Sequence, residues 1–319
     1  RSIRRTVHII KKEEVPIAYS ATKVFVRPAS NRYMQFIGVT EKEYKTFSGS
    51  ILKILPDDGM TVKEIKETLK TDINISSIVN LMCDQGLLVR GLSRKGWKSN
   101  AHIYYVFSKY FPDIRLDELK EDDAKKLLVE HYIRSYGPVT ETDISWWTGF
   151  TKRETSKILK DMDNRLDEIS ISNLDDNYIV INSGKKELQI KDLKMNTVNL
   201  LPCLDPYIMG YKKRDRYIEK KNYYYIFDRS GNAASSILLN GKIIGVWDFE
   251  ETKESSAVKF FLFENSKKSI LDAICYKAEQ VGRFISARED MKINVRECKS
   301  MISLDKRTAG SFMSPLKFN

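Results

Sequence analysis

TVKEIKETLKTDINISSIVNLMCDQGLLVR, residues 61–90, is the stretch on which the reading of the fold turns. It opens with Thr61-Val62-Lys63-Glu64, a capping box in which the threonine oxygen accepts from a free helix N–H and the glutamate reaches back to the threonine N–H. Val62, Ile65 and Leu69 then share one helical face. After a short turn Ile75, Ile78, Val79 and Met82 recur at i, i+3, i+4 and i+7, the signature of a second amphipathic helix, and Gly86 is placed to end it. Leu87-Leu88-Val89-Arg90 reads as a strand, followed by a basic loop and a returning run, Ile103-Tyr104-Tyr105-Val106-Phe107. Upstream, Thr40-Glu41-Lys42-Glu43 is another capping box. It opens a helix that buries Phe47, Ile51, Ile54 and Leu55 and stops at the turn residues Pro56-Asp57-Asp58-Gly59. Three helices and a hairpin predict a winged helix over residues 40–118.

The order repeats over 119–190. Ala124, Leu127, Leu128, His131 and Tyr132 line one face of an opening helix broken by Tyr136-Gly137-Pro138. Thr140-Glu141-Thr142-Asp143 starts a short helix through Ile144, Trp146 and Trp147, and Thr151-Lys152-Arg153-Glu154 boxes a third that buries Thr155, Ile158, Leu159 and Met162. Leu166–Ile171 and Tyr178–Ile181 form the expected hairpin around a polar turn. Residues 1–39 are expected to be the remnant of, or linker from, an earlier winged helix, with a short strand at Thr6–Ile10 and a helix over Glu13–Phe25. Over 191–319 the character changes: strand-like runs at Tyr223–Phe227, Ser236–Leu239, Lys242–Asp248 and Val258–Phe263, a tight hairpin at Asn240-Gly241, then a long amphipathic helix through Ile270, Ile274, Ala278 and Val281. The fold class expected is α+β, tandem winged helices followed by a small β-rich α+β domain.

The 319 residues carry a net charge of +11, 42% hydrophobic and 30% charged residues, with a pI near 9.2. Such a charge attracts polyanions, nucleic acid first among them, although a lysine-rich surface has the same composition. Apolar runs are too short to cross a bilayer, and no secretory signal precedes the first domain; a cytoplasmic protein without membrane contact is expected. Cys83, Cys203, Cys275 and Cys298 are far apart, have no nearby His and form no C-x-x-C pair, so neither a metal site nor a disulfide framework is expected. The sequence opens on Arg1 rather than Met, which leads us to expect a longer chain.

Three places suit DNA. On the second copy's third helix, Lys152, Arg153, Lys157 and Lys160 leave the apolar face free and would themselves meet phosphates, or form a plain solvated face. The first copy's third helix carries Ser76, Ser77, Asn80 and Asp84 instead, which shifts the expectation to its loop, where Arg90, Arg94, Lys95 and Lys98 surround Trp97. The densest cluster is Lys212, Lys213, Arg214, Arg216, Lys220 and Lys221, interleaved with Tyr207, Tyr211, Tyr217 and Tyr223–Tyr225, a mixture suited to backbone contact plus base stacking, or to a charged strand edge. Asp205, between a leucine run and Pro206, is either a turn former or a catalyst; His8, in an alternating run, is either a half-buried core histidine or an acid/base. No Walker loop, H-E-x-x-H or G-x-S-x-G is present.

Several segments then resemble one family. Leu200-Leu201-Pro202-Cys203-Leu204-Asp205-Pro206-Tyr207-Ile208-Met209-Gly210-Tyr211-Lys212 is similar to an LLP-x-x-DPY-x-x-GYK motif. Leu239–Trp247 resembles the hairpin after it, Tyr136–Gly149 a GP-x-T-x-x-D-x-x-WW-x-G stretch, and Arg4-Arg5-Thr6-Val7-His8 an R-x-T-x-H start. These are motifs of the winged-helix DNA glycosylases typified by AlkZ and YcaQ. The resemblance implies tandem winged helices with a β-rich C-terminal part, and removal of alkylated bases or unhooking of interstrand crosslinks by a monofunctional glycosylase without metal or organic cofactor. It also implies that His8, Asp205 and Tyr207 hold family motif positions. The family's catalytic Q-x-Q or Q-x-D lies upstream of R-x-T-x-H. None of Gln35, Gln85, Gln189 or Gln280 is followed two places on by Gln or Asp, so the catalytic residues are unknown, and His8 and Asp205 stand as candidates. The partner expected is duplex DNA, damaged or not, bound by a monomer. A non-enzymatic DNA-binding protein or transcriptional regulator remains the alternative, as does a structural role for the repeats.

Overall fold

The computed structural model describes residues 3–96, 99–184, 196–286, 292–304 and 316–318. Trp97 and Lys98 of the expected basic loop lie outside the described residues. The chain divides into two compact units, Arg1–Ser135 with Trp147–Asp163, and Tyr136–Trp146 with Asn164–Asn319.

In the first unit α1 (Val15–Phe36) precedes α2 (Glu41–Ile54), the two-residue strand β1 (Met60–Thr61), α3 (Val62–Leu69), α4 (Ile75–Asp84), β2 (Leu88–Ser93), β3 (His102–Val106) and a single turn, α5 (Phe107–Tyr110). The boxes at Thr40/Glu43 and Thr61/Glu64 both form with reciprocal hydrogen bonds. The three strands are antiparallel in the order β1-β3-β2. Ile51, Leu55, Ile65, Ile75, Ile78, Val79, Met82 and Leu88 are buried in one core beneath them. Gly86 takes φ +76° after α4, a conformation a side chain resists.

Two expectations for the N-terminal stretch are corrected. Thr6–Ile10 belongs to no strand: its backbone finds no ladder partner. The helix expected to end at Phe25 runs to Phe36 through Pro28. The proline removes one helical hydrogen bond, yet the helix continues because it packs against α4 and buries Ala18, Ala21, Val26, Ser30 and Met34. Ser30 Oγ donates to the buried carboxylate of Asp84. This unit also holds α6 (Glu121–Tyr136) to Ser135 and α8 (Lys152–Asp161), whose box at Thr151/Glu154 forms as well. Between α6 and α8 the chain makes α7 (Glu141–Thr148).

The second unit contains the antiparallel hairpin β4 (Leu166–Ser170) and β5 (Asn177–Ile181). A five-stranded sheet follows, β6 (Val198–Leu201), β7 (Ser236–Leu239), β8 (Lys242–Glu251), β9 (Ser256–Leu262) and β10 (Ile293–Glu297), with α9 (Pro206–Met209) and α10 (Tyr223–Ile226) between β6 and β7 and α11 (Lys268–Ser286) before β10. The sheet order is β10-β9-β8-β7-β6, antiparallel except for β10 beside β9. Helix α11 packs on it over a core of Val198, Ile237, Trp247, Val258, Phe260, Ile274 and Ala278. Asn240 and Gly241 both have positive φ, 50° and 82°, as the tight hairpin between β7 and β8 requires. Tyr223–Phe227, expected as a strand, is instead the turn of helix α10, and β6 and β10 are strands that the composition did not announce. Among the described residues no helix is long and apolar enough to cross a membrane, and no group of three or more His, Cys, Asp or Glu is placed to hold a metal ion.

Candidate nucleic-acid interface

The two third helices differ. Helix α4 is buried over most of its circumference, Ser77 and Asp84 included, with α1, α2 and α3 packed on it; only Ser76 is fully exposed. Helix α8 buries Thr155 and Ile158 on one face and exposes Lys152, Arg153, Ser156, Lys157 and Lys160 on the other. Its first turn is fixed by Glu154, whose carboxylate accepts from Thr151 N–H at 2.9 Å and from Lys125 Nζ at 2.9 Å. Hydrogen bonds from Lys125 and Thr151 hold the Glu154 carboxyl down to about 2. Burial alone would lower Lys125, but Glu121 and Glu154 outweigh it and raise it. Lys157 lines a small cleft shared with Asp122, Lys126 and Asp161, so its charge is partly compensated. No ion pair engages Lys152, Arg153 or Lys160 among the described residues.

On the hairpin of the first unit, Arg90 Nη2 donates to His102 Nε2 at 3.0 Å. Arg94 turns back onto its own unit, pairing with Glu64 at 3.2 Å and donating to Gly59 O at 3.1 Å. Lys95 projects into solvent.

The basic cluster of the second unit is built inward. Asp143 is fully buried. Its Oδ2 accepts from Thr140 N–H (3.1 Å), Thr140 Oγ1 (2.9 Å) and Arg216 Nη2 (3.3 Å), and its Oδ1 from the backbone N–H groups of Lys212 (2.8 Å) and Lys213 (3.0 Å). Arg216 also donates to Pro138 O at 2.7 Å, across a cis Gly137–Pro138 peptide, and its guanidinium lies 4.0 Å from the Tyr211 ring centre and 5.2 Å from that of Tyr178. Arg214 lies 3.7 Å from the Phe227 ring centre and donates to Tyr223 Oη and Gly231 O. Lys213 pairs with Asp176, and Lys221 with Glu219 and Glu264. Burial pushes the Tyr211 hydroxyl up to about 12; it donates to Tyr136 O at 2.8 Å. Gly210 is required here by space: a Cβ would stand 2.4 Å from the Tyr136 ring. Of the cluster, Lys212 and Lys220 have exposed side chains with no ion-pair partner among the described residues.

Three of the sequence motifs are thereby joined in one unit. The Pro138/Thr140/Asp143 stretch holds the Gly210-Tyr211-Lys212 turn, and Trp247 of the hairpin motif donates from its indole to Leu201 O at 2.9 Å. Asp205 caps α9, accepting from Tyr207 N–H at 2.9 Å, and burial raises its carboxyl. Tyr207, 38% exposed, leans on Tyr211 and Tyr217. In the first unit His8 is bonded to Thr6 Oγ1 at 2.6 Å and meets the edge of Trp147 at 6.0 Å, while Trp147 stacks on Tyr132 at 4.7 Å. Burial lowers the His8 pKa, with the nearby Arg4 charge adding to it, so the ring is neutral near pH 7. Sequence reasoning missed Asp143 as the organiser of the cluster; the signal available was its place three residues after Thr140, the spacing of a helix-start box.

The sequence matches the family described as DNA glycosylase AlkZ-like over residues 1–284. It is similar to the interstrand DNA cross-link repair glycosylase of Streptomyces sahachiroi, at 20% identity over 265 residues, covering 77% of this chain and 69% of that protein. Among solved structures it is similar to the Streptomyces sahachiroi DNA glycosylase AlkZ, with a TM-score of 0.68 and 19% identity over 92% of this chain and 80% of that one, a likeness of fold.

Proposed function

This chain belongs to the DNA glycosylase AlkZ-like family, and on that premise we propose that it is a DNA-repair glycosylase that holds duplex DNA through winged helices spanning residues 40–118 and 119–190. The observation that carries the reading is the α8 face, where Lys152, Arg153 and Lys160 stand in solvent without acidic partners among the described residues on a helix pinned by a formed capping box. A third helix of this kind lies where a winged helix enters a groove, and its cations displace counterions from phosphates. Arg90 and Lys95 of the β2–β3 hairpin, and Lys212 with Tyr207 in the second unit, are further contacts in this reading. Arg214 and Arg216 serve the interior.

The reaction is hydrolysis of the N-glycosidic bond. Water adds to the sugar carbon, the bond's electron pair neutralises a cationic alkylated base as it leaves, and the water gives up a proton. The base is a good leaving group, so positioning the water and steadying the developing sugar cation are the enzyme's main tasks. His8, neutral and half-buried, and Asp205 are the residues to substitute first, by alanine.

Titrating a labelled duplex at several salt concentrations tests the binding. A log–log slope of roughly −0.9 per phosphate contact is expected, and a flat response overturns it. Release of an alkylated purine, or unhooking of a crosslinked duplex, tests the chemistry. Salt-dependent binding without release supports the second reading, a DNA binder without glycosylase activity in residues 1–319. That reading is favoured by one observation: no glutamine in the chain begins a Q-x-Q or Q-x-D.

A further inference from the structure

The β2–β3 hairpin carries a feature that phosphate binding does not use. Strand β2 lies at the edge of its sheet. Its register with β3 shifts between the pairs Arg90↔Tyr104 and Ser93↔His102, so that Gly91 and Leu92 face the single residue Ile103. That is a β-bulge, which re-aims side chains. It is held by His102: Arg90 can only donate, so Nε2 is the acceptor and Nδ1–H is left to donate to Gly91 O at 3.3 Å. Gly91 is needed because a Cβ would stand 2.7 Å from the Tyr105 ring. The outcome is Leu92 at 85% exposure, between the exposed cations Arg90 and Lys95, neither of which has a carboxylate partner among the described residues. A bare leucine on an edge strand is an aggregation liability. Flanking it with positive charge makes it a poor site for a hydrophobic protein partner and a good one for a polyanion with an apolar interior, the stacked bases of duplex DNA.

We infer that Leu92 is an intercalating wedge, entering the base stack from the minor groove while Arg90 and Lys95 hold the flanking phosphates. Apolar side chains used this way unstack a base step, and a gap left by an extruded or missing base is the place where insertion costs least. The inference rests on the DNA-binding reading above and deepens it.

The test compares the wild-type chain with Leu92→Ala, Leu92→Met and Arg90→Ala on two labelled duplexes, one intact and one with a tetrahydrofuran residue in place of a central nucleotide. Wild type is expected to prefer the gapped duplex. Leu92→Ala should lose roughly tenfold or more of that preference, because less apolar surface enters the gap, with affinity for intact duplex and its salt slope unchanged; Leu92→Met should keep most of it. Arg90→Ala should weaken both duplexes alike. The side chain is in solvent, so matching thermal unfolding curves for wild type and Leu92→Ala are expected. Equal behaviour of Leu92→Ala and wild type on both duplexes, or no preference in wild type, overturns the wedge while leaving DNA binding intact. Failure of wild type to bind either duplex overturns the wedge together with the reading it rests on.

Discussion

Two runs of positive charge, Lys152–Lys160 and Lys212–Lys221, look alike in sequence, yet only the second sends an arginine into the interior. On α8 the helical period sorts the residues, apolar inward and cationic outward. In the second run the chain folds over the Pro138–Asp143 segment of its own unit, and Arg216 is drawn inside with only 11% of its side chain exposed. Arginine suits that place because one planar guanidinium bonds a carbonyl and a carboxylate while stacking on tyrosine rings. The difference teaches that a dense basic run can be used up inside the fold where a buried carboxylate lies within reach, as Asp143 does for Arg216.

The sharpest way to break this comparison is Asp143→Ala. It would leave Arg216 buried opposite a missing charge and strip two backbone N–H groups of their acceptor. Removing one partner of a buried pair costs about 3–5 kcal/mol, and urea unfolding should show a loss of that size; a loss below about 1 kcal/mol would mean that the cluster is held by its rings rather than by its carboxylate. The joint change Lys212→Ala, Arg214→Ala, Arg216→Ala should likewise act first on folding.

Next in size is the reverse case, Lys152→Ala with Arg153→Ala and Lys157→Ala. Stability should change by no more than about 0.5 kcal/mol per site, while DNA affinity falls and the salt slope shrinks by roughly 0.9 for each phosphate that is no longer neutralised. An unchanged slope would make the α8 face a plain solvated one.

A smaller effect is expected at Glu154, which anchors α8. Its folded pKa of about 2 lies below the ordinary 4.5, so its contribution is fully present above the ordinary value and is lost as pH falls from there towards 2. The side chain is 41% exposed, and solvent screening keeps the contribution near 0.5–1 kcal/mol. Thermal melts of Glu154→Gln against wild type should differ at pH 6 and converge near pH 2. The smallest effect expected is Lys212→Ala, within about 0.5 kcal/mol in stability and at most one phosphate's share of the salt slope.

What the sequence determined by itself was everything whose partners lie within a few residues. The boxes at Thr40, Thr61 and Thr151 each close over three residues, and the Asn240-Gly241 turn needs only two backbones that tolerate positive φ. The helical periods of α2, α3, α4 and α8, and the family motifs themselves, were legible for the same reason. Tertiary structure decided the rest. Helix α1 passes Pro28 because α4 receives its small face. Helix α4 is buried over most of its circumference because α1, α2 and α3 pack on it, and Asp143 finds its arginine and two amides about seventy residues away. A hydrogen bond over three residues depends on local backbone geometry, which residue type fixes. One over seventy depends on which surfaces have already packed, and that competition among apolar faces and buried charges is settled only in the folded chain.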